Sequence, residues 1–131
     1  MMYVLDSNCL IHFFKRQGRV AENLLATPPQ EISIPAVALY ELETGVAKSR
    51  FPEKTGAQLE SVVSWMTVLP FGPLEAKASA RVRASLEKQG RPIGPIDILI
   101  AGTALSHGAT LVTHNTSKFA RVEGLSLVDW Y

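Results

Sequence analysis

The sequence has few of the features that mark secreted, disulfide-stabilised or membrane proteins. It contains one cysteine, Cys9, which excludes an intramolecular disulfide; its apolar neighbours are typical of a buried, unreactive thiol. No apolar run approaches the roughly 18–20 residues of a membrane span, and the N-terminus has no charged leader followed by a long apolar segment. With 13 basic and 12 acidic residues the net charge is +1, which does not by itself indicate binding to nucleic acid or membranes. We therefore expect a cytoplasmic protein without membrane association.

Short apolar runs alternate with helical patterns along the 131 residues, of which 47% are hydrophobic. A chain of this length buries one core, so we predict a single domain over residues 1–131. The patterns predict strands at 1–5, 32–34, 68–69, 109–113 and 125–128, and helices at 9–16, 20–26, 36–48, 52–66, 73–88, 95–105 and around Phe119. This order is typical of an α/β domain with a short, mainly parallel sheet of four or five strands flanked by helices on both faces.

One of these helices carries an isolated charge. Gly94 allows a sharp turn, and Pro95 is suited to the first position of the helix that follows. The helix is apolar on nearly every face, which predicts that it is buried, and Asp97 is its only charged residue. A carboxylate in such a place is costly without a partner, so Asp97 is expected to have one.

Polar side chains also follow the predicted strands. Asp6 comes after the first strand, and His114 and Asn115 come after the fourth, while Glu41 lies on the helix that follows the second. Ligands of open parallel sheets bind beyond the carboxyl ends of the strands, where Asp97 would also point. Carboxylates that converge there repel one another unless a divalent cation binds between them. A set of oxygen ligands favours Mg²⁺ or Mn²⁺ over zinc.

Each of these residues also has a purely structural interpretation. Asp6 is a suitable helix cap, and Asp97 is favoured by the helix dipole. Glu41 can lie on a solvated face, and Asn115 is common in turns. The three histidines have no metal-ligand spacing and are interpreted as structural or surface residues: His12, His107 and His114.

Taken together, the segments that carry these residues resemble the PIN-domain ribonucleases, and specifically the VapC toxins of bacterial toxin–antitoxin pairs. The matching segments are 3–8 (YVLDSN), 38–45 (ALYELETG), 90–97 (GRPIGPID) with Ile100 and Ala101, 111–115 (LVTHN), and the C-terminal 119–130. They cover essentially the whole chain in the order and spacing of that family. The resemblance implies a PIN-like fold.

The resemblance also implies roles for individual residues. Acidic residues at the positions of Asp6, Asp97 and Glu41 hold Mg²⁺ or Mn²⁺ in the family, with Glu41 binding directly or through water. Ser7 and Thr113 match hydroxyl positions that brace these carboxylates.

Asn115 completes the catalytic set that the resemblance implies. It departs from the family pattern, because many PIN domains have aspartate near this position. Lys118 departs as well, since many VapC relatives have an acid or histidine there. An uncharged Asn115 argues against a permanently bound second metal ion and leaves the first site intact.

The implied activity is metal-dependent hydrolysis of RNA phosphodiester bonds, with initiator tRNA, cut in the anticodon loop, as the expected substrate. The implied partners are a VapB-type antitoxin and a second copy of the chain, in a homodimer and a toxin–antitoxin hetero-oligomer. Arg91 precedes the Asp97 turn closely and is the basic residue we expect to contact RNA.

Two other classes of protein share part of this pattern. A Mg²⁺-dependent phosphoacceptor or phosphatase-like α/β domain also has aspartate after its first strand, but the residue two positions after Asp6 is Asn8 rather than a second acid. A catalytically silent PIN domain that only binds partners is the other alternative, and the presence of all three acids argues against it.

Overall fold

A five-stranded parallel sheet forms the centre of the computed structural model, which describes all 131 residues. The strands are β1 (Tyr3–Leu5), β2 (Ile32–Pro35), β3 (Thr67–Leu69), β4 (Thr110–Val112) and β5 (Ser126–Val128). Their order across the sheet is β3-β2-β1-β4-β5, and each neighbouring pair is parallel. The predicted fold class is confirmed, with the larger of the two expected strand numbers.

Seven α-helices connect and flank the strands. They are α1 (Ser7–Phe14), α2 (Val20–Ala26), α3 (Ala36–Ala47), α4 (Pro52–Val63), α5 (Pro73–Lys88), α6 (Pro95–Ser106) and α7 (Thr116–Phe119), with a short 3-10 turn at Pro29–Glu31. Helix α1 begins two residues earlier than predicted, because Asp6 itself caps it. Helix α4 ends three residues earlier than predicted, because Trp65 and Met66 bond to it only through turn-type i to i+3 hydrogen bonds. None of the helices has the length and apolar character needed to cross a membrane.

The central strand is β1, which pairs with β2 on one side and with β4 on the other. Tyr3 is in register with Ile32 on one side and with Thr110 on the other. Val4 and Leu5 are completely buried, as expected for a strand covered on both faces. Because β2 and β4 lie on opposite sides of β1, the connections diverge there, which opens a crevice at the carboxyl end of the strand.

Helices α5 and α6 approach each other closely in the core. An added Cβ at Gly102 of α6 would lie 2.6 Å from the Cα and 2.7 Å from the backbone nitrogen of Ser79 in α5. The sequence prediction of a wholly buried α6 holds for its middle, where Ile100 and Ala104 are fully buried. It is wrong for the first turn, where Ile96 and Asp97 are only half-buried, because this end of the helix opens onto the crevice.

Candidate active site

Asp6 is the most deeply buried acidic residue at the crevice, with 4% of its surface exposed. Its Oδ1 accepts a hydrogen bond from the Cys9 amide at 2.9 Å and so caps α1, and the Thr113 side chain is also bonded to the carboxyl group. Burial raises the pKa of Asp6 above its ordinary value, and the nearby negative charge of Asp97 raises it further. The capping and site interpretations of Asp6 are therefore compatible.

Asp97 lies in the first turn of α6, close enough to Asp6 for the two charges to repel. A Cβ at Gly94 would lie 3.0 Å from Oδ2 of Asp97, so the glycine leaves room for this carboxylate. The partner that the sequence required is Lys118 of α7, whose Nζ donates to Oδ2 at 2.7 Å. Sequence reasoning noted Lys118 only as a departure from the family pattern and missed the ion pair.

Glu41 lies on α3, and its carboxylate is bonded to the residue that follows Asp6. The Ser7 hydroxyl donates to Oε1 of Glu41 at 2.7 Å, so the residue next to Asp6 orients this second acid. No three acidic, histidine or cysteine side chains are arranged to hold a metal ion together. The structure thus brings Asp6 close to Asp97 and links Glu41 to the neighbouring Ser7.

Thr113 and Asn115 follow β4 at the same edge of the sheet. Thr113 is 1% exposed, and besides bonding to Asp6 its Oγ1 accepts the Asn115 amide at 3.0 Å. Asn115 occupies the cap position of α7, but its side chain makes no capping hydrogen bond and is exposed. The turn explains the backbone conformation of Asn115, but its side-chain amide takes no part in capping the helix.

The predicted RNA contact Arg91 is exposed and forms no ion pair with Asp6, Asp97 or Glu41. Its backbone amide closes the end of α5 by donating to the Leu86 carbonyl. Sequence reasoning missed Arg121. Its Nη1 donates to the Pro92 carbonyl at 3.1 Å and so holds the loop between α5 and α6 in place.

The histidines have structural partners, as predicted. His114 is 3.0 Å from Asp129 and stacks on Tyr131 with ring centroids 4.0 Å apart. His12 meets Tyr131 edge to face. His107 lies 3.2 Å from the Glu75 carboxylate, away from the crevice. Cys9 is buried, and burial raises the pKa of its thiol well above the ordinary value, in agreement with an unreactive role.

The residues at the crevice suit a hard divalent cation. Asp6 is a buried carboxylate with no cationic side chain within ion-pair distance, while its neighbour Asp97 adds a second negative charge. An uncompensated buried carboxylate is unfavourable unless a cation binds or it takes up a proton. Both donors are oxygen atoms, which is the ligand type that Mg²⁺ and Mn²⁺ prefer.

Comparison with known proteins gives consistent matches over the whole chain. The profile of the PIN domain matches residues 3–125. The chain is 38% identical over 130 residues to a Shigella flexneri protein named tRNA(fMet)-specific endonuclease VapC, with 99% of this chain and 98% of the relative covered. It is 33% identical, over 99% of this chain and 98% of the relative, to a Haemophilus influenzae protein named ribonuclease VapC2.

Solved structures agree with these sequence matches. The structure of VapBC2 from Rickettsia felis bound to a promoter DNA fragment aligns with a TM-score of 0.93 and 32% identity, with 100% of both chains covered. DNA-bound VapBC from Salmonella typhimurium aligns equally well, with a TM-score of 0.93, 32% identity, and 100% of this chain and 99% of that chain covered.

Proposed function

This chain belongs to the PIN-domain family, and we propose that it is a metal-dependent endoribonuclease that acts as the toxin of a toxin–antitoxin pair. The observation that carries the proposal is the pairing of buried Asp6 with Asp97 at the carboxyl end of the central strand. The full-length similarity to VapC ribonucleases favours this function over a phosphatase-like domain or a silent binding module.

Asp6 and Asp97 would hold the Mg²⁺ or Mn²⁺ ion, which when bound polarises the scissile phosphate and lowers the pKa of a water molecule. The chain's own residues prepare this site. The Cys9 amide and Thr113 orient Asp6, so that its carboxylate does not have to reorganise. Ser7 holds Glu41 where it can accept a proton from the attacking water, and the free amide of Asn115 can donate to a phosphate oxygen.

An RNA-cleavage assay with purified protein tests the proposal. We expect cleavage with Mg²⁺ or Mn²⁺, and we expect EDTA to abolish it. Asp6→Asn and Asp97→Asn should each reduce the rate more than about 100-fold, because losing a metal ligand costs more than losing a residue that only orients a ligand. Glu41→Gln should also reduce the rate, whereas Glu43→Gln, its control at an exposed position of the same helix, should leave the rate unchanged. EDTA-resistant cleavage, or full activity of Asp6→Asn, would sink the metal-nuclease assignment.

For the substrate, we propose initiator tRNA cut in the anticodon loop, in the cytoplasm. The support is the similarity to the Shigella flexneri protein whose name specifies tRNA(fMet). Sequencing the 5′ ends of RNAs after brief induction tests this. A single dominant end within the anticodon loop of initiator tRNA is the expected result, and ends confined to other RNAs would redirect the substrate assignment.

For the partners, we propose a VapB-type antitoxin together with a homodimer of this chain, as the solved relatives are VapBC complexes. A groove of about 470 Å³ lies beside Glu41, and Ile11, Phe14 and Leu42 line it. Phe14 is 39% exposed, which leaves an apolar surface for an antitoxin helix.

Co-expression with a VapB-type antitoxin tests this surface. Phe14→Glu should reduce co-purification, whereas Phe51→Glu should not, because Phe51 is also exposed but does not line the groove. Equal co-purification of the two variants would place the antitoxin elsewhere. Expression without an antitoxin should arrest growth, and chromatography coupled to light scattering measures the dimer.

A further inference from the structure

We propose that Lys118 is a tethered cation of the metal centre, which makes it a site for one divalent ion rather than two. The inference rests on the proposed function, because it concerns the same pair of carboxylates. Lys118 Nζ lies 2.7 Å from Oδ2 of Asp97, and the two side chains are only 26% and 27% exposed. The ammonium thus occupies Oδ2, one of the two oxygen atoms through which the Asp97 carboxylate could bind metal ions.

Lys118 is held in this position by the packing of its helix. The next residue, Phe119, is 1% exposed and anchors α7 in the core. Arg121 reaches across to the Pro92 carbonyl at 3.1 Å and joins α7 to the loop that leads into α6. The lysine is therefore flanked by two attachments, one to the core and one to the segment that carries Asp97. These attachments fix the backbone from which Lys118 reaches Asp97, and because both side chains are mostly buried, solvent screens this ion pair less than a surface pair.

The charges of the crevice also point to one ion. Asp6, Asp97 and Glu41 together carry three negative charges, and Lys118 neutralises one of them. One divalent ion then brings the net charge of the site to zero, whereas a second ion would leave an excess of positive charge. A second ion, about 3.5–4 Å from the first as in two-metal nucleases, would lie against the ammonium and be repelled.

The neighbouring polar residue does not offset this repulsion. Asn115, one turn before Lys118, has an uncharged side chain that makes no capping bond. An amide oxygen alone is a weak ligand for a second divalent ion beside a fixed positive charge. Lys118 acts here through Asp97, and so it is a positioning residue.

Titration of the full chain with Mn²⁺, followed by calorimetry and by electron paramagnetic resonance of the free ion, tests the proposal without relying on activity. The wild type should bind one ion. Lys118→Met should bind the first ion at least tenfold more tightly, because Asp97 no longer has a competing cation. Lys118→Glu should bind a second ion, and Lys118→Arg should keep one ion with near wild-type affinity. Lys77→Met, a change at an exposed lysine on α5, is the control.

The outcomes separate this inference from the proposed function. Two ions in the wild type, unchanged affinity in Lys118→Met, or a single ion of wild-type affinity in Lys118→Glu would each overturn the inference and leave the nuclease assignment standing. Absence of binding in both wild type and Lys118→Met would overturn the inference together with the metal centre. Binding by Lys118→Met alone would also overturn the inference, because Lys118 would then exclude the first ion and not only a second one.

Discussion

The contact between α5 and α6 provides the sharpest test of the packing. In Gly102→Ala, the new methyl group would overlap three atoms of Ser79, and two of them are backbone atoms at 2.6 and 2.7 Å. Overpacking typically costs 1–3 kcal/mol, and we expect about 3 kcal/mol here because rotation of a side chain cannot relieve it. Alanine regains about 1 kcal/mol of helix propensity. The net loss is therefore about 2 kcal/mol.

Thermal unfolding monitored by circular dichroism measures this loss. For a chain of this length, 2 kcal/mol corresponds to a decrease in Tm of about 7 °C. The matched control is Gly45→Ala on α3, where an added Cβ has nothing within 4 Å. It should raise the Tm by about 3–4 °C, because only the helix propensity changes.

A second change tests the cause of the destabilisation. Ser79→Ala removes the hydroxyl, which is buried without a hydrogen-bond partner, and should by itself be neutral or stabilising. In the Gly102→Ala background it should rescue stability only in part, since the backbone overlap remains. A Gly102→Ala protein as stable as the wild type would refute the close approach of the two helices, and complete rescue by Ser79→Ala would refute the role of the backbone atoms.

Three further predictions concern polar side chains. Thr113→Val should lower the free energy of unfolding by about 1–3 kcal/mol in chemical denaturation, because the Asn115 amide and the Asp6 carboxyl lose a buried hydrogen-bond partner. Thr113→Ser keeps the hydroxyl and should retain most of the stability, so equal stability of the two variants would contradict this prediction. The hydrogen bond from the Gly72 amide is the main reason that the pKa of Glu75 lies below its ordinary value of 4.5. The Glu75 carboxylate therefore stabilises the fold above pH 4.5, and this stabilisation is lost as the pH falls through the folded-state pKa. The Tm difference between wild type and Glu75→Gln should therefore narrow from pH 7 to pH 3, and a constant difference would argue against this linkage. Arg91→Ala, in an inactive Asp6→Asn background, should reduce the slope of log affinity for single-stranded RNA against log salt by about 0.7, while Lys77→Ala should leave it unchanged; an unaltered slope in Arg91→Ala would remove Arg91 from the RNA contacts.

Much of the fold could be predicted because its signals are local. Prolines at the first positions of α4, α5 and α6 mark those helix starts, and α2 has the predicted bounds. The end of α4 was not predicted correctly, because apolar Trp65 and Met66 continue a helical pattern while the backbone turns towards β3. Such helix ends depend on tertiary packing, which involves residues far apart in the sequence and so leaves no local pattern to predict from.

The candidate site divides in the same way. The proximity of Asp6 and Asp97 follows from strand ends that meet at one edge of a parallel sheet, which topology rules predict. The hydrogen bond between Ser7 and Glu41 agrees with the bracing role that the family resemblance implies for Ser7. The ion pair between Lys118 and Asp97 was not predictable from pattern, because it depends on how the four-residue helix α7 docks against the start of α6, 21 residues away.

The position of β1 between β2 and β4 determines when this protein can first become active. Tyr3 pairs with Thr110, and the Asp6 amide donates to the Val112 carbonyl, so the environment of Asp6 includes residues that are synthesised long after it. A growing chain that lacks β4 has neither the bond from Thr113 nor the neighbouring strand end that shapes the crevice. Contacts this distant in sequence also form slowly. A ribosome making this nuclease therefore carries an inactive chain until β4 has been translated and can pair with β1, and the antitoxin is needed only from that moment.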